Sequence, residues 1–130
     1  MSVGNEPIDY LTVDDLLEIA AGVVGHIEVR DVGLLASATA RPAASVFGAE
    51  AYPSFAEKVA TLLHALARNH SLLDGNKRLA WSAARVFCLM NGHDLRLGVD
   101  EAEAMMLALA TGSLDLPDLA PMLARHLHGS

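Results

Sequence analysis

The sequence predicts an all-α fold. Its 130 residues include 22 alanines and 21 leucines, and both residue types are strong helix formers. Apolar residues recur at helical spacing in several segments, and capping residues, glycines and prolines separate these segments. The alternation of strand and helix patterns that indicates a parallel sheet is missing. We therefore expect about six helices packed as one domain over residues 1–130.

The first two predicted helices have recognisable start signals. Thr12 and Asp15 have the spacing of a capping box, so the first helix is expected to begin near Thr12. Asp31 is a suitable cap for a second helix, which should run toward Arg41. Pro42 should stop this helix, because the residue before a proline is pushed out of helical geometry.

The third helix has the clearest pattern. Ser54 and Glu57 form another capping box, and the helix is expected to end close to Asn69. Its apolar stripe consists of Phe55, Val59, Leu62, Leu63 and Leu66. The opposite, polar face is expected to carry Glu57, Thr61, His64 and Arg68.

A fourth helix is predicted to start near Asn76 or Lys77 and to stop at Asn91-Gly92. Cys88 within it is expected to be a buried, inert thiol. The predicted apolar face of this helix comprises Leu79, Ala80, Ala83, Val86, Phe87 and Met90.

Two more helices complete the prediction. Asp100 with Glu103 is expected to open the fifth helix, which closes at Thr111-Gly112. The segment 93–99 before it is too short to classify. The last helix is predicted from the spacing of Leu116, Leu119, Ala120, Leu123 and Leu127.

Composition excludes several classes of protein. A formal net charge of −7 argues against a general nucleic-acid binder, and the single cysteine excludes a disulfide framework and a cysteine-rich zinc site. The sequence contains no run of about 18 apolar residues, so no membrane span is expected. The N-terminal MSVGNEPIDY lacks the basic start and apolar run of a secretory signal, so a cytoplasmic protein is expected.

The segment HSLLDGNKR, residues 70–78, is predicted to be a loop that carries chemistry. Histidine is suited to proton transfer near neutral pH, and His70 is the only one in this loop. Asp74 offers hard oxygen ligands that suit magnesium, and Gly75 allows backbone geometry that other residues resist.

The end of this loop suits phosphate. Asn76, Lys77 and Arg78 lie at the expected start of the fourth helix, where unpaired backbone N–H groups attract anions. Lysine and arginine side chains also suit phosphate. The residues alone leave open a plainer interpretation, an ordinary turn followed by a solvated helix start.

Two other sites are disfavoured. The loop is not a P-loop, because the second glycine is missing and a helix precedes it. His70 and Asp74 have a spacing that suits two zinc ligands, but further ligands would have to come from afar. His126 and His128, near the end of the chain, are expected to be solvated.

The loop resembles the core of the Fic/Doc family, H-x-F-x-[DN]-[GA]-N-[GK]-R, and it is most similar to the Doc branch of toxin-antitoxin toxins. The segments YLTVDDLLEIA, RDVGLLASATARP, AYPSFAEKVATLLHALARNH, VFCLMNGHDL and ATGSL also resemble Doc-type segments in the same order. The resemblance covers nearly the whole chain. It implies the all-helical Fic fold.

The resemblance implies transfer of a phosphate-containing group from a nucleotide to a protein hydroxyl. Typical Fic enzymes transfer AMP and have a glycine at the position of Lys77 and an arginine at the position of Trp81. Both departures match the Doc branch, which resembles a kinase. This branch uses ATP and Mg²⁺, phosphorylates a threonine of elongation factor Tu to stall translation, and is covered by a Phd-type antitoxin.

Site residues follow from the same resemblance. It implies that His70 is the general base and that Asp74 holds magnesium on the phosphates. The implied phosphate-binding residues, of which Lys77 and Arg78 are also catalytic, are Gly75, Asn76, Lys77 and Arg78. Arg68 lies where a Doc-type arginine occurs, and its role is left open.

Three residues depart from the family pattern, and two alternatives remain. Ser71 replaces a frequent proline, Leu72 replaces the phenylalanine that anchors the loop, and Leu79 replaces a common threonine. The alternatives are an AMP transferase and a binding module without catalysis. The nearest match to an inhibitory [ST]-x-x-x-E-[GN] motif, residues 2–6, is broken by Pro7, so inhibition is expected from another chain.

Overall fold

The computed structural model describes residues 7–129, and six α-helices account for most of that range. They are α1 (Val13–Val24), α2 (Val32–Ala40), α3 (Phe55–Arg68), α4 (Asn76–Met90), α5 (Val99–Thr111) and α6 (Leu116–Ala124). The predicted all-α fold of about six helices is confirmed. The possible inhibitory motif at residues 2–6 lies outside the described residues.

Three helix caps form where the sequence predicts them. The Thr12 hydroxyl accepts a hydrogen bond from the Asp15 N–H at 3.1 Å, and the Asp15 carboxylate accepts one from the Thr12 N–H at 2.8 Å. Ser54 and Glu57 form the same reciprocal pair at the start of α3. Asp31 accepts from Gly33 at the start of α2. These local bonds satisfy backbone donors that a helix leaves unpaired at its N-terminus.

Helix α3 lies at the centre of the molecule. It packs against α4, α6, α5 and α2, and its predicted apolar stripe is buried except at the partly buried Phe55. Thr61, expected on an exposed polar face, is buried, and so is Lys58. The expectation for Thr61 is wrong because neighbouring elements cover α3 on several sides. Lys58 stays paired there, with its ammonium 2.8 Å from the Glu50 carboxylate and 3.2 Å from the Pro42 carbonyl oxygen.

The face that α4 buries differs from the prediction. Val86 and Met90 are 38% and 40% exposed, whereas Ala84 and Cys88 are fully buried. Small side chains on this face allow α1 and α3 to pack on α4 together with a later strand. Burial, reinforced by the nearby negative charge of Asp94, raises the pKa of the Cys88 thiol to about 12, as expected for an inert cysteine.

The end of α2 is as predicted and the start of α5 is not. Helix α2 ends at Ala40, before Pro42, but Arg41 keeps helical geometry because a short 3₁₀ helix (Arg41–Ala43) follows directly. Proline is tolerated in the first turn of such an element, where its missing N–H would have had no partner. Asp100 does not cap α5, which begins at Val99 after the cap residue Gly98.

Four short strands form two antiparallel pairs within residues 7–129. They are β1 (Ser45–Val46), β2 (Ala49–Glu50), β3 (His93–Leu95) and β4 (Leu127–Gly129). Strand β3 occupies the segment that the sequence left unclassified. Leu127 was predicted to extend the last helix, but it pairs with Leu95 in the β3–β4 ladder. No helix of the described residues is long and apolar enough to cross a membrane.

Candidate active site

The loop between α3 and α4 presents its polar side chains to solvent. His70, Asp74, Lys77 and Arg78 are all exposed, and they lie in the loop or in the first turn of α4. Exposure allows each group to meet a ligand or a macromolecular substrate. The four predicted catalytic residues are therefore all exposed within residues 70–78, at the connection between α3 and α4.

The segment between α1 and α2 holds this loop through its backbone. The N–H groups of Arg30 and Asp31 both donate to the Ser71 carbonyl oxygen, at 2.8 and 3.1 Å. The Leu73 N–H donates to the Glu28 carbonyl oxygen at 3.0 Å. Residues 28–31 thus form a short, strand-like support for the loop, which the sequence analysis did not find.

Leu72 anchors the loop in the core. It is 1% exposed and belongs to the main hydrophobic cluster, so leucine fills the anchoring position that the family pattern assigns to phenylalanine. Ser71 beside it is also buried, and its hydroxyl has no hydrogen-bond partner among residues 7–129. Neither departure from the family pattern leaves the loop detached from the body of the protein.

The Asn76 side chain closes the loop. Its amide oxygen accepts from the Leu72 N–H at 3.0 Å, and its amide nitrogen donates to the Leu72 carbonyl oxygen at 2.9 Å. The sequence analysis expected Asn76 to bind phosphate. In this structure both ends of the side-chain amide are bonded to Leu72, so only the backbone N–H of Asn76 is free to bind a ligand.

Gly75 is required by both conformation and space. Its φ of +88° lies in the left-handed region, and a Cβ atom there would lie 2.6 Å from a Val24 methyl group of α1. As the N-cap of α4, Gly75 offers no capping side chain. In the described part of the chain, the N–H groups of residues 76–78 have no acceptor, so this helix end can bind an anion.

Asp74 keeps an open carboxylate. One of its oxygens accepts from the Gly75 N–H at 2.8 Å, and the side chain makes no other hydrogen bond or ion pair within residues 7–129. No group of three metal-ligating side chains occurs in the same range. A single exposed carboxylate suits magnesium that is otherwise held by phosphates and water.

A cavity of about 670 Å³ adjoins the start of α4. It lies between α4, α5 and the β3–α5 connection, and its walls are mainly apolar. Its charged lining comprises the cationic Lys77, Arg78, Arg85 and Arg96 and the acidic Glu103, and its apolar lining includes Trp81, Leu95, Leu97, Val99, Met106 and Leu107. Lys77 and Arg78 therefore connect the N-terminal end of α4 to the cavity, whereas His70 and Asp74 do not line it.

Arg68 points away from the loop. Its guanidinium lies close to Gly112, where an added Cβ atom would meet it at 3.6 Å. The Leu116 N–H, His64 and, less strongly, Arg68 lower the pKa of the Asp115 carboxyl. Arg68, whose role the sequence analysis left open, thus contributes to the contact of α3 with the α5–α6 connection.

The two C-terminal histidines differ in environment. His128 is exposed, as expected. His126 was expected to be solvated as well, but its side chain is only 25% exposed and its Nε2 lies 3.4 Å from the Glu101 carboxylate. Strand β4 causes the difference, because its pairing with β3 brings the end of the chain back toward α5.

The sequence is similar to known proteins. Residues 10–88 match the sequence model of the Fic/DOC family. The chain is also 49% identical over 121 residues to a protein of Mycolicibacterium smegmatis (strain ATCC 700084 / mc(2)155) named Toxin Doc, and the match covers 89% of this chain and 92% of that relative. The chain therefore belongs to the Fic/DOC family, and its resemblance to Doc-type members is confirmed.

Proposed function

We propose that the protein is a Doc-type toxin kinase that transfers the γ-phosphate of ATP to a threonine hydroxyl of elongation factor Tu and thereby inhibits translation. The main support is one geometric relationship: the exposed His70 lies on the loop that ends at the uncapped N-terminus of α4. Membership of the Fic/DOC family supports a transferase, and the relative named Toxin Doc supports a toxin.

The start of α4 would bind the transferred phosphate. Three backbone N–H groups of residues 76–78 are free among the described residues, and the helix dipole favours negative charge there. Lys77 and Arg78 add two full positive charges at the same helix end. Preorganised donors of this kind stabilise charge that develops on the transferred oxygens.

The cavity beside α4 would hold the rest of the nucleotide. Its volume of about 670 Å³ is within the range of small-molecule sites. The Trp81 ring and the aliphatic walls suit a nucleobase, and the cations nearer the loop suit the phosphate chain. Because Lys77 and Arg78 belong to both the helix end and the cavity, one ATP molecule would occupy both.

Asp74 is the residue that would hold magnesium. Its exposed carboxylate and the neighbouring phosphate site match the way proteins bind this ion, with one or two carboxylates, water and substrate phosphates. When bound, magnesium would neutralise charge on the phosphates.

His70 would act on the protein substrate. It would accept the proton of the threonine hydroxyl while the hydroxyl oxygen forms a bond to the γ-phosphorus. The bond from that phosphorus to the oxygen bridging the β-phosphate would break, and ADP would leave. A general base of this kind typically contributes about 10²- to 10⁴-fold in rate.

The two alternatives differ from this proposal in measurable ways. An AMP transferase would have a glycine where Lys77 stands and an arginine where Trp81 stands, and this chain has neither. The buried Leu72 and the backbone hydrogen bonds with residues 28–31 hold the loop in place, which supports a working site over a degenerate module.

The test uses the full chain, purified elongation factor Tu, and ATP labelled on either the α- or the γ-phosphate. We expect γ-label on the factor and none with His70→Ala. The exposed His128→Ala, far along the chain from the loop, serves as the matched control and should transfer normally. Transfer of α-label would establish an AMP transferase, and tight binding of a partner without transfer of either label would establish a module without catalysis.

Partner and compartment follow from the same proposal. A toxin of this type would require an antitoxin, which we propose to be of the Phd type. Because elongation factor Tu is the proposed target, the cytoplasm is the proposed site of action. Coexpression with a neighbouring antitoxin-like gene should relieve growth arrest by the wild-type chain, whereas His70→Ala alone should cause no arrest.

A further inference from the structure

Arg30 contacts the candidate active-site loop with both its side chain and its main chain. It lies between α1 and α2, forty positions before His70. Its guanidinium Nε donates a hydrogen bond to the His70 carbonyl oxygen. Its backbone N–H donates to the Ser71 carbonyl oxygen at 2.8 Å. One residue thus holds two successive carbonyl groups of the loop.

The hydrogen bonds from Arg30 fix the position of the backbone that carries the His70 imidazole. Among residues 7–129 the exposed His70 side chain makes no hydrogen bond or ion pair of its own, so its position depends on the backbone at residues 69–71. The Ser71 N–H donates to the Asn69 carbonyl oxygen at 2.8 Å, which makes a tight turn there. Arg30 fixes the one carbonyl of that turn that belongs to His70.

We propose that Arg30 is a positioning residue for His70, an inference that rests on the proposed phosphotransfer. The guanidinium holds the His70 peptide group so that the imidazole stays directed toward the incoming hydroxyl. Misplacement of a reacting group by about 1 Å can cost about 10²-fold in rate. Losing this hydrogen bond should therefore slow the chemical step and leave nucleotide binding, which uses α4, largely unchanged.

Arg30 can be replaced without opening a cavity. Its side chain is exposed, and the backbone bonds from residues 28, 30 and 31 to the loop persist in any variant at this position except proline. Lysine can still donate to the carbonyl oxygen, although without the planar guanidinium. Arg30→Ala therefore removes the hydrogen bond, whereas Arg30→Lys removes only the planar shape of the guanidinium. Arg125→Ala, an exposed arginine at the end of α6, is the matched control.

The first experiment measures kcat and KM for ATP in phosphotransfer by the wild-type chain and these variants. We expect Arg30→Ala to lower kcat about 10- to 100-fold with KM for ATP within about twofold, Arg30→Lys to recover part of the loss, and Arg125→Ala to match wild type. An unchanged kcat for Arg30→Ala, or a raised KM with unchanged kcat, would overturn the proposal.

A second measurement separates this inference from the proposed function. NMR of the imidazole and of the loop amides follows His70 whether or not the chain transfers phosphate. Arg30→Ala should shift the His70 imidazole signals and speed amide exchange at Ser71, and Arg125→Ala should do neither. If the wild type transfers no phosphate, the proposed function fails. If Arg30→Ala leaves the His70 signals and loop exchange unchanged, the positioning role fails.

Discussion

The Asn76 side-chain amide forms two hydrogen bonds to the backbone of a single residue, Leu72, at 3.0 and 2.9 Å. This pair closes the loop as a ring between the buried anchor at Leu72 and the first residue of α4. The ring places His70 and Asp74 outside the core while their backbone stays attached to it. An asparagine that looks like a ligand-binding residue in the sequence is thus a structural part of the site.

Replacing Asn76 with alanine should loosen the loop. The Leu72 N–H and C=O would lose their partners in a partly buried place, which typically costs about 1–3 kcal/mol of unfolding free energy. Denaturant unfolding of wild type and Asn76→Ala measures this cost. Asn76→Asp keeps the acceptor for the Leu72 N–H and lacks the donor, so its unfolding free energy should fall between those of wild type and Asn76→Ala. An Asn76→Ala variant as stable as wild type would contradict the ring.

Gly75→Ala should be strongly destabilising. The substitution forces an L side chain into the left-handed region, at about 1–2 kcal/mol, and adds a Cβ atom 2.6 Å from Val24 Cγ2. Val24→Ala removes the methyl groups that the new Cβ would meet. In a double-mutant cycle by denaturant unfolding, Gly75→Ala should therefore cost less in the Val24→Ala background. Equal costs in both backgrounds would show that conformation, and not contact with α1, restricts residue 75.

Cys88 makes stability depend on pH in the alkaline range. Burial, with a smaller effect of the Asp94 charge, raises the pKa of this thiol from 9.0 to about 12 in the folded chain. Between these values the unfolded chain loses the thiol proton and the folded chain keeps it, so the thiol's contribution to stability is present below pH 9 and lost as pH rises. Wild type should lose up to about 1.4 kcal/mol per pH unit relative to Cys88→Ala.

The measurement is the unfolding free energy of both chains at pH 8, 9 and 10. Other groups titrate equally in the two chains, so the difference between their unfolding free energies at each pH gives the contribution of the thiol. Slow reaction of the native chain with a thiol reagent at pH 8 is the accompanying kinetic expectation. Parallel pH profiles for wild type and Cys88→Ala would contradict the raised pKa.

Local features of the fold could be predicted from the sequence, and long-range ones could not. The Thr12–Asp15 and Ser54–Glu57 caps depend on residues three apart, so the spacing suffices. Strand β4 pairs with a segment more than thirty residues earlier, and nothing local in either segment specifies the other. The periodicity of α3 identifies its apolar stripe, but burial of Thr61 depends on how many neighbours surround the helix.

The candidate site divides in the same way. The groups proposed to do chemistry are contiguous in residues 70–78 and could be identified from their types and order. Apart from Asn76, the groups that hold them come from other elements: Val24 against Gly75, and Arg30 on the carbonyl of His70. No signal in the short segment between α1 and α2 reveals this contact. The cavity likewise depends on how α5 packs beside α4.

Trp81 provides a direct test of where the nucleotide binds. It lines the cavity beside Lys77 and Arg78 and is the only tryptophan of the chain, so its fluorescence reports on that cavity alone. ATP should change the emission of the wild type. Stacking of a base on an aromatic side chain is worth about 1–3 kcal/mol in proteins that bind single-stranded nucleic acid, so Trp81→Ala should weaken ATP binding by about tenfold or more in calorimetry. Trp81→Phe should lose less of the affinity for ATP, because its ring can still stack on the base.

Inorganic triphosphate separates the two halves of the proposed nucleotide site. It carries the phosphate chain without a base, so it should bind wild type and Trp81→Ala with similar affinity through the N-terminus of α4, Lys77 and Arg78. Only the ATP affinity should respond to the loss of the indole. If ATP left the fluorescence of Trp81 unchanged and Trp81→Ala bound ATP as tightly as wild type, the base would lie outside this cavity, and only the phosphates would remain assigned to α4.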